Sequence, residues 1–433
     1  MDTQSGEIGG KGRTSVLTYL ATSLHASSSQ ETVIILFAGD RPHASNAAMT
    51  QSITHLEKLI SFNTVSRDSN LALIDHVSEL LEPLGFRVQL APSEDGRKAN
   101  LYASIGPEDV AGVVLSGHTD VVPVEGQAWS SDPFVMRRDK GLLYGRGTAD
   151  MKGFIACCIA MAPRAAELKD KLTAPIHFAF SYDEEIGCVG VRRLIDMLEP
   201  VSPKPRCCII GEPTLMQVVT AHKGKAGERV SCTGLEAHSS LAPTAINAVH
   251  LAIDLINEIR RLQAEIAETG TRDGDYDVAY TTLHAGNLHG GETLNIVPNL
   301  AKFEYEIRHL PADDPQALID RIHAHAGELV SEARKVFPGA DISFAPGTAY
   351  PALDTAPDAD VVNYVKSLTG GNSTGKIAFG TEGGLFQTRL GIPTVVCGPG
   401  SIGVAHKPDE YIAESEMAAC DSMLEKLLGD LTA

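Results

Sequence analysis

Histidines and carboxylates able to hold a metal or move a proton recur where apolar runs of this chain end. His118 and Asp120 follow the run Val113-Val114-Leu115. Residues i and i+2 share one face of an extended chain, so one of the pair can hold a metal while the other orients it by accepting the second imidazole N–H. Asp150 lies in the glycine-rich stretch Gly145-Arg146-Gly147-Thr148-Ala149-Asp150-Met151-Lys152-Gly153. Asp183-Glu184-Glu185 closes the run Ile176-His177-Phe178-Ala179-Phe180, Glu212 lies in Gly211-Glu212-Pro213, and His406 comes near the C-terminus. Singly each has an ordinary explanation: a packed histidine, a capping aspartate, a solvated acidic triplet. Jointly they do not. Three consecutive carboxylates at the end of a buried strand repel one another in a cleft unless a cation compensates. Nitrogen and oxygen donors without thiolate suit Zn²⁺, Co²⁺ or Mn²⁺, and two metals sharing a bridging carboxylate would draw on a set of this size.

The elements that must position these groups alternate between strand and helix. Apolar residues at helical spacing predict helices from Ile53 to Ile60 and from Leu71 to Leu84, the second closed by Gly85. Strands are expected at 86–90, 101–105, 113–115, 176–182 and 207–210, with helices at 153–161 and 190–198 between them. That order predicts an α/β fold with a largely parallel sheet, whose ligand site lies beyond the C-terminal strand ends. From about His222 the pattern changes to strand 229–233, long helix 244–267, strands 280–285 and 300–307, and long helix 315–336. This reads as an inserted α+β unit over 222–340, flanked by two parts of the α/β unit at 49–221 and 341–433.

A formal charge of −19 argues against nucleic acid or an anionic membrane as partner. The eight cysteines include the adjacent pairs Cys157-Cys158 and Cys207-Cys208, neither with zinc-knuckle or redox spacing. Reduced, buried thiols in a cytoplasmic protein are the expectation. No apolar run approaches the roughly 20 residues of a membrane span. Residues 1–48 differ from the rest: rich in Ser, Thr and Gly, without the layout of a signal or transit peptide. They read as a poorly structured leader, with Met49 as the expected natural start.

The motifs Ser116-Gly117-His118-Thr119-Asp120, Gly145 through Gly153, Asp183-Glu184-Glu185-Ile186-Gly187, Gly211-Glu212-Pro213-Thr214 and His406-Lys407-Pro408-Asp409-Glu410-Tyr411 occur in the order found in the M20 metallopeptidase/deacylase family, which this chain resembles from Met49 onward. The resemblance implies an α/β catalytic domain with an inserted α+β dimerisation, or lid, domain. Carried over residue by residue, it implies that His118 and Glu212 hold one divalent metal, that Glu185 and His406 hold the other, and that Asp150 bridges them ahead of a cis peptide bond. Zn²⁺ is the first choice and Co²⁺ the second. Asp120 would orient His118. Glu184 would be the general base that takes a proton from a metal-activated water. In the inserted unit, His238 of Gly234-Leu235-Glu236-Ala237-His238-Ser239-Ser240 resembles a lid histidine that supports the oxyanion from the partner subunit of a homodimer. Asn295 and Arg308 stand at the family's spacing for gripping a substrate carboxylate, a task that suits a guanidinium fork.

The late motifs, Phe379-Gly380-Thr381-Glu382-Gly383-Gly384 and Cys397-Gly398-Pro399-Gly400-Ser401 through Tyr411, look most like those of acetylornithine deacetylases. That likeness implies hydrolysis of N2-acetyl-L-ornithine to ornithine and acetate, with Thr381 and Glu382 at the substrate and Glu382 accepting its side-chain ammonium. Succinyl-diaminopimelate desuccinylase, a broader N-acyl-amino-acid deacylase and a dipeptidase use the same machinery. A non-catalytic binding module keeps the fold alone.

Overall fold

The computed structural model describes residues 46–433. All but the last three residues of the expected leader, 1–48, lie outside the described residues, and those three fall within the first helix, α1 (Asn46–Ile60). Next comes α2 (Leu71–Leu81), which tightens into a short 3₁₀ turn and ends at Gly85 with φ +86°, the left-handed stop expected of that glycine. An antiparallel pair, β1 (Arg87–Pro92) and β2 (Ala99–Ile105), leads into β3 (Val113–His118). The short strands β4 (Arg137–Asp139) and β5 (Leu142–Tyr144) precede α3 (Gly153–Glu167), β6 (Ile176–Ser181), α4 (Val191–Leu198), β7 (Cys207–Pro213) and β8 (Val218–His222). The chain then builds β9 (Gly224–Thr233), α5 (Ala248–Thr269), β10 (Thr282–Gly290), β11 (Leu300–His309), α6 (Pro315–Ala333) and β12 (Asp341–Pro346). It returns through β13 (Leu353–Asp354), α7 (Asp360–Thr369), β14 (Thr374–Ile377), α8 (Gly383–Leu390), β15 (Thr394–Gly398), β16 (Tyr411–Ala413) and α9 (Glu414–Asp430).

The large sheet runs β1-β2-β6-β3-β7-β15-β8-β13, with β14 also on β8. Its middle, β6-β3-β7-β15, is parallel, and antiparallel pairs flank it. Helices cover both faces, which explains the unalternating apolar runs. Val113 and Leu115 of β3, with Cys207 and Ile209 of β7, enter the core shared with α1, α3 and α9. Val114, Cys208 and Ile210 enter the opposite core, under α4 and α8. The adjacent cysteines 207 and 208 thus point to opposite sides of one strand, and all eight cysteines are free and buried.

The second sheet, β10-β11-β9-β12, is antiparallel and carries helices on one side only. Ala301, Phe303, Tyr305 and Ile307 of β11 pack with Leu255, Ile259 and Leu262 of α5 and Ile322 of α6 in a separate core, while the alternate residues face outward. Helix α5 starts at Ala248 rather than at the expected 244, because Asn247 accepts the N–H groups of Val249 and His250 and sets the cap there. Strand β8 is unexpected from the sequence: Val218-Val219-Thr220-Ala221-His222 is short, and only Lys223 separates it from β9. Among the described residues no helix is long and apolar enough to cross a membrane.

Candidate active site

The parallel ladder does the first part of the positioning. It aligns the C-terminal ends of β3, β6 and β7, so His118, the Asp183-Glu184-Glu185 turn and Glu212 arrive on one rim. Gly211 lets β7 pass close to α3, since a Cβ there would lie 2.0 Å from ring atoms of Phe154. Gly147, at φ +85°, turns the chain into the segment bearing Asp150, and the Asp150–Met151 peptide bond is cis.

Asp150 is the centre of the cluster. Its Oδ1 lies 3.0 Å from His118 Nε2, and its Oδ2 lies 3.2 Å from His406 Nε2. One carboxylate therefore faces two imidazoles with separate oxygens, which is the disposition a bridging ligand needs. His118 Nε2 also lies 3.6 Å from Glu212 Oε1, and His406 Nε2 lies 3.0 Å from Glu185 Oε2. His118, Asp150 and Glu212 are buried, whereas the His406 side chain is 49% exposed. Ligand atoms of His118, Asp150 and Glu185, and likewise of His118, Glu184 and Glu212, lie within 4.8 Å of one another.

The orientation of His118 comes from a different atom than expected. Its Nδ1–H donates to the main-chain carbonyl of Asp120 at 2.9 Å, while the nearest carboxylate oxygen of Asp120 is 3.6 Å away. With Nδ1 committed as a donor, Nε2 is the atom left facing Asp150 and Glu212, where it donates to Asp150 when protonated and can offer a lone pair to a cation when it is not. The Asp120 carboxylate instead accepts from Ser66 Oγ at 2.7 Å and from the N–H groups of Glu184 and Glu185 at 3.1 and 3.3 Å. Asp120 thus also organises the acidic turn. Asp183, at φ +56°, points away from the metal-ligating atoms and pairs with Lys98 at 2.5 Å.

The electrostatics are those of carboxylates crowded out of water. Burial, reinforced by neighbouring carboxylates, pushes Glu184 up to about 8 and Glu185 up to about 7, and raises Glu212 well above the usual range. Burial opposes charge on Asp150 as well, but hydrogen bonds from His118 and His406 outweigh it and hold that carboxyl below its usual value. His406 is pushed up to about 10 by Asp150 and Glu185. His118 is raised too, since its carboxylate partners overcome the opposing effect of burial. The site therefore holds positive charge strongly, and the attraction that raises these values for a proton is equally available to a divalent cation. The all-N,O donor set, the lone pair aimed by Asp120 and the two-faced Asp150 fit a pair of divalent metals.

The other expected residues are placed differently. Thr381 is buried and its hydroxyl accepts from Gly383 N–H at 3.0 Å, at the start of α8. Glu382 is 1% exposed, with one oxygen on Ser181 Oγ and the other 3.4 Å from Ser116 Oγ. Both of its oxygens are thus engaged by hydroxyls of the central strands, beneath the rim. Arg308 lies on the uncovered face of the second sheet, where Glu306 accepts from Nε at 3.1 Å and Tyr350 Oη pairs with Nη1. His238 and Asn295 are exposed on loops that hydrogen-bond to each other: Ser239 N–H donates to the Asn295 carbonyl at 2.9 Å. The ring of His238 bonds to Ser240 at 2.8 Å, and no member of the cluster is among its hydrogen-bond partners.

Three contacts add residues that the motifs alone do not single out. Cys188 Sγ lies 3.2 Å from Glu184 Oε1, Lys98 pins Asp183, and Tyr350 holds Arg308. The signal for Cys188 is its place within the acidic turn, four residues after Glu184. Tyr350 and Lys98 carry no local signal, because their partners are distant in sequence.

The protein-family model for peptidase family M20/M25/M40 matches residues 114–430, a span that includes every member of the cluster. Solved structures with this fold include aminopeptidase PepT from Bacillus cereus, with 19% identity and a TM-score of 0.69, covering 88% of this chain and 98% of that one. An M20 family metallo-carboxypeptidase from Sulfolobus solfataricus has 20% identity and a TM-score of 0.68, covering 87% and 98%. A dinuclear metal-binding M20 peptidase from Bacillus subtilis has 16% identity and a TM-score of 0.63, covering 89% and 99%. With the family model spanning most of the chain and the fold matching along nearly the full length of these structures, the chain belongs to peptidase family M20/M25/M40.

Proposed function

We propose that this member of the family hydrolyses the amide of N2-acetyl-L-ornithine, releasing L-ornithine and acetate. The observation that carries the hydrolytic reading is Asp150, with one oxygen toward His118 and the other toward His406, and the half-buried carboxyl of Glu184 beside them. His118 and Glu212 would hold one divalent ion and Glu185 and His406 the other, with Asp150 shared. Zn²⁺ is the first choice and Co²⁺ the second. Such ions, when bound, supply Lewis acidity for the amide carbonyl and lower the pKa of water at the site.

The chain's own groups supply the rest. Glu184 is the carboxyl this reading keeps out of the ligand set, with an oxygen within 4.8 Å of ligand atoms of His118 and Glu212. It takes a proton from the attacking water and delivers it to the leaving amine. Asp120 holds the Glu184 main chain in place, and Cys188 limits the rotation of its carboxyl. The guanidinium of Arg308, steadied by Tyr350, is the group for the substrate carboxylate; Asn295, on the loop bonded to that of His238 at the other end of the second sheet, would reach it from a second copy. His238 supports the oxyanion when a second copy of the chain presents it. The exposed Leu241, Leu294 and Ile296 around that loop form the apolar surface a second copy would cover. The division into a catalytic part (49–221 and 341–433) and a lid (222–340) has support from two separate cores, although β12 (Asp341–Pro346) belongs to the second sheet and would carry the lid to 346.

For acetylornithine, the support is the late motifs together with Glu382. Buried on two serine hydroxyls, Glu382 would act on a cationic side chain through its negative potential, with Thr381 fixing the loop. A peptide substrate is the second reading, favoured by the aminopeptidase and carboxypeptidase names of proteins sharing the fold. The test is amine release by metal-reconstituted protein from N2-acetyl-ornithine, N-succinyl-diaminopimelate, acetyl-methionine and a dipeptide. A marked preference for acetyl-ornithine is expected. Preference for the dipeptide or the succinyl compound would overturn the substrate and keep the mechanism, and no turnover on any would leave a binding module.

A further inference from the structure

Behind the cluster lies a buried ion pair that the chemistry above does not use. Arg146 and Glu410 are each 1% exposed, and Arg146 Nη1 donates to Glu410 Oε2 at 2.6 Å. The other oxygen, Oε1, accepts the main-chain N–H of Ala149 at 2.9 Å and that of Asp150 at 3.1 Å. Arg146 Nη2 donates to Gln127 Oε1 at 2.6 Å, and Gln127 Nε2 donates to the main-chain carbonyl of His406 at 2.9 Å. Trp129 braces the middle: its Nε1 donates to Gln127 Oε1 at 3.0 Å, and its ring lies 5.0 Å from the guanidinium. A continuous line of hydrogen bonds therefore joins the backbone of Asp150 to the backbone of His406.

The two halves of the centre need different support. His118 and Glu212 sit on β3 and β7, whose separation is fixed by the parallel ladder between them. His406 sits on a turn, at φ +62°, a left-handed conformation that residues with a Cβ rarely adopt, so something outside the turn must hold it. A buried ion pair is weak evidence of net stability, which leaves fixing an arrangement as the role to test for this one.

We infer that Gln127, Arg146 and Glu410 form a positioning relay that sets the distance between Asp150 and His406. The relay thereby governs metal affinity in the half bounded by Asp150, Glu185 and His406, and leaves the half bounded by His118 and Glu212 nearly untouched. The inference rests on the proposed metal centre.

The test is titration of metal-stripped protein with Co²⁺, read by visible absorption and by bound cobalt per chain. Gln127→Glu keeps an acceptor for Arg146 and Trp129 but cannot donate to His406; Gln127→Ala removes both contacts. Wild type is expected to take up two cobalt ions. Both variants are expected to keep one at wild-type affinity and to bind the second about tenfold or more weakly, the range for lost outer-sphere partners of a ligand. Glu410→Gln should do the same more severely; because it breaks a buried pair and risks misfolding, the half-buried Gln127 carries the decision. Two-site binding unchanged in both Gln127 variants, or equal weakening of both sites, would overturn the relay alone. Wild-type protein that binds no cobalt would overturn the metal centre, and the relay with it.

Discussion

The two sheets of this protein treat their faces in opposite ways. The large sheet is covered on both sides, and its polar groups are driven to the one place left, the C-terminal rim of β3, β6 and β7. There carboxylates and His118 are buried or half-buried together and must satisfy one another, with His406 at the open edge. The second sheet is covered on one side only, and its candidate groups, Arg308 on the open face and His238 and Asn295 on loops, remain accessible or half-accessible. The first region is a constellation assembled within one chain, and the second is a set of groups open to solvent, which on the proposed reading would meet substrate or a second copy. The difference shows how burial separates a site's reactive centre, which needs low dielectric and fixed geometry, from its recognition surface, which needs access.

Mutations should reveal that contrast, and the largest effect belongs to the buried region. Glu184→Gln is expected to lower kcat by roughly 10²–10⁴-fold, with bound metal per chain unchanged by elemental analysis. Activity near wild type would remove Glu184 from its role. His238→Ala should follow, with a loss of roughly 10²-fold in kcat. Mixing it with Glu184→Gln should regain activity if two copies pair and His238 acts across their interface, because one site in each mixed pair then has both groups; no recovery would place His238 in its own chain's site or outside catalysis.

Arg308→Ala should cost less in rate and more in binding. A rise in KM of about 10–100-fold is expected for a substrate with a free carboxylate, from loss of charge-assisted hydrogen bonds. The same variant should show little change with the corresponding carboxamide. An equal effect on both substrates would mean that Arg308 supports the sheet rather than the ligand.

The smallest effect concerns stability. His177 of β6 stacks on Tyr102 with ring centroids 5.2 Å apart, and its Nδ1 meets Ser104 Oγ at 2.7 Å. Burial, helped by Arg87, lowers its pKa from 6.5 to about 4. Between those values the unfolded chain binds more protons than the folded one. The contribution is therefore complete above about 6.5 and is lost as the pH falls toward 4. Denaturant unfolding of His177→Phe should be less acid-sensitive across that window, by up to roughly 3 kcal/mol. An unchanged slope would show that the ring is not held neutral by the sheet.

Much of this was legible in the chain. The run Val113-Val114-Leu115 marks a strand buried on both faces, and the structure divides those residues between the two cores. Every cluster residue stood out by type and place. Less legible was what each does: Asp120 grips the Glu184–Glu185 backbone as well as neighbouring His118, and Glu382 is spent on two serines. Those partners are tens to hundreds of residues away, and no local pattern encodes them. Strand β8 escaped because a short apolar run parted from the next strand by one residue, Lys223, has no turn signal to bound it.

The sequence by itself determined the α/β alternation, the change of pattern near His222 and the chemistry available, because periodicity and residue type are local properties. Only the tertiary structure decided that His118 and His406, 288 positions apart, meet the two oxygens of one carboxylate, and that Glu410 and Arg146 stand behind them. Convergence of that kind depends on which strands become neighbours and on which loops are braced, and these are properties of the whole packed chain.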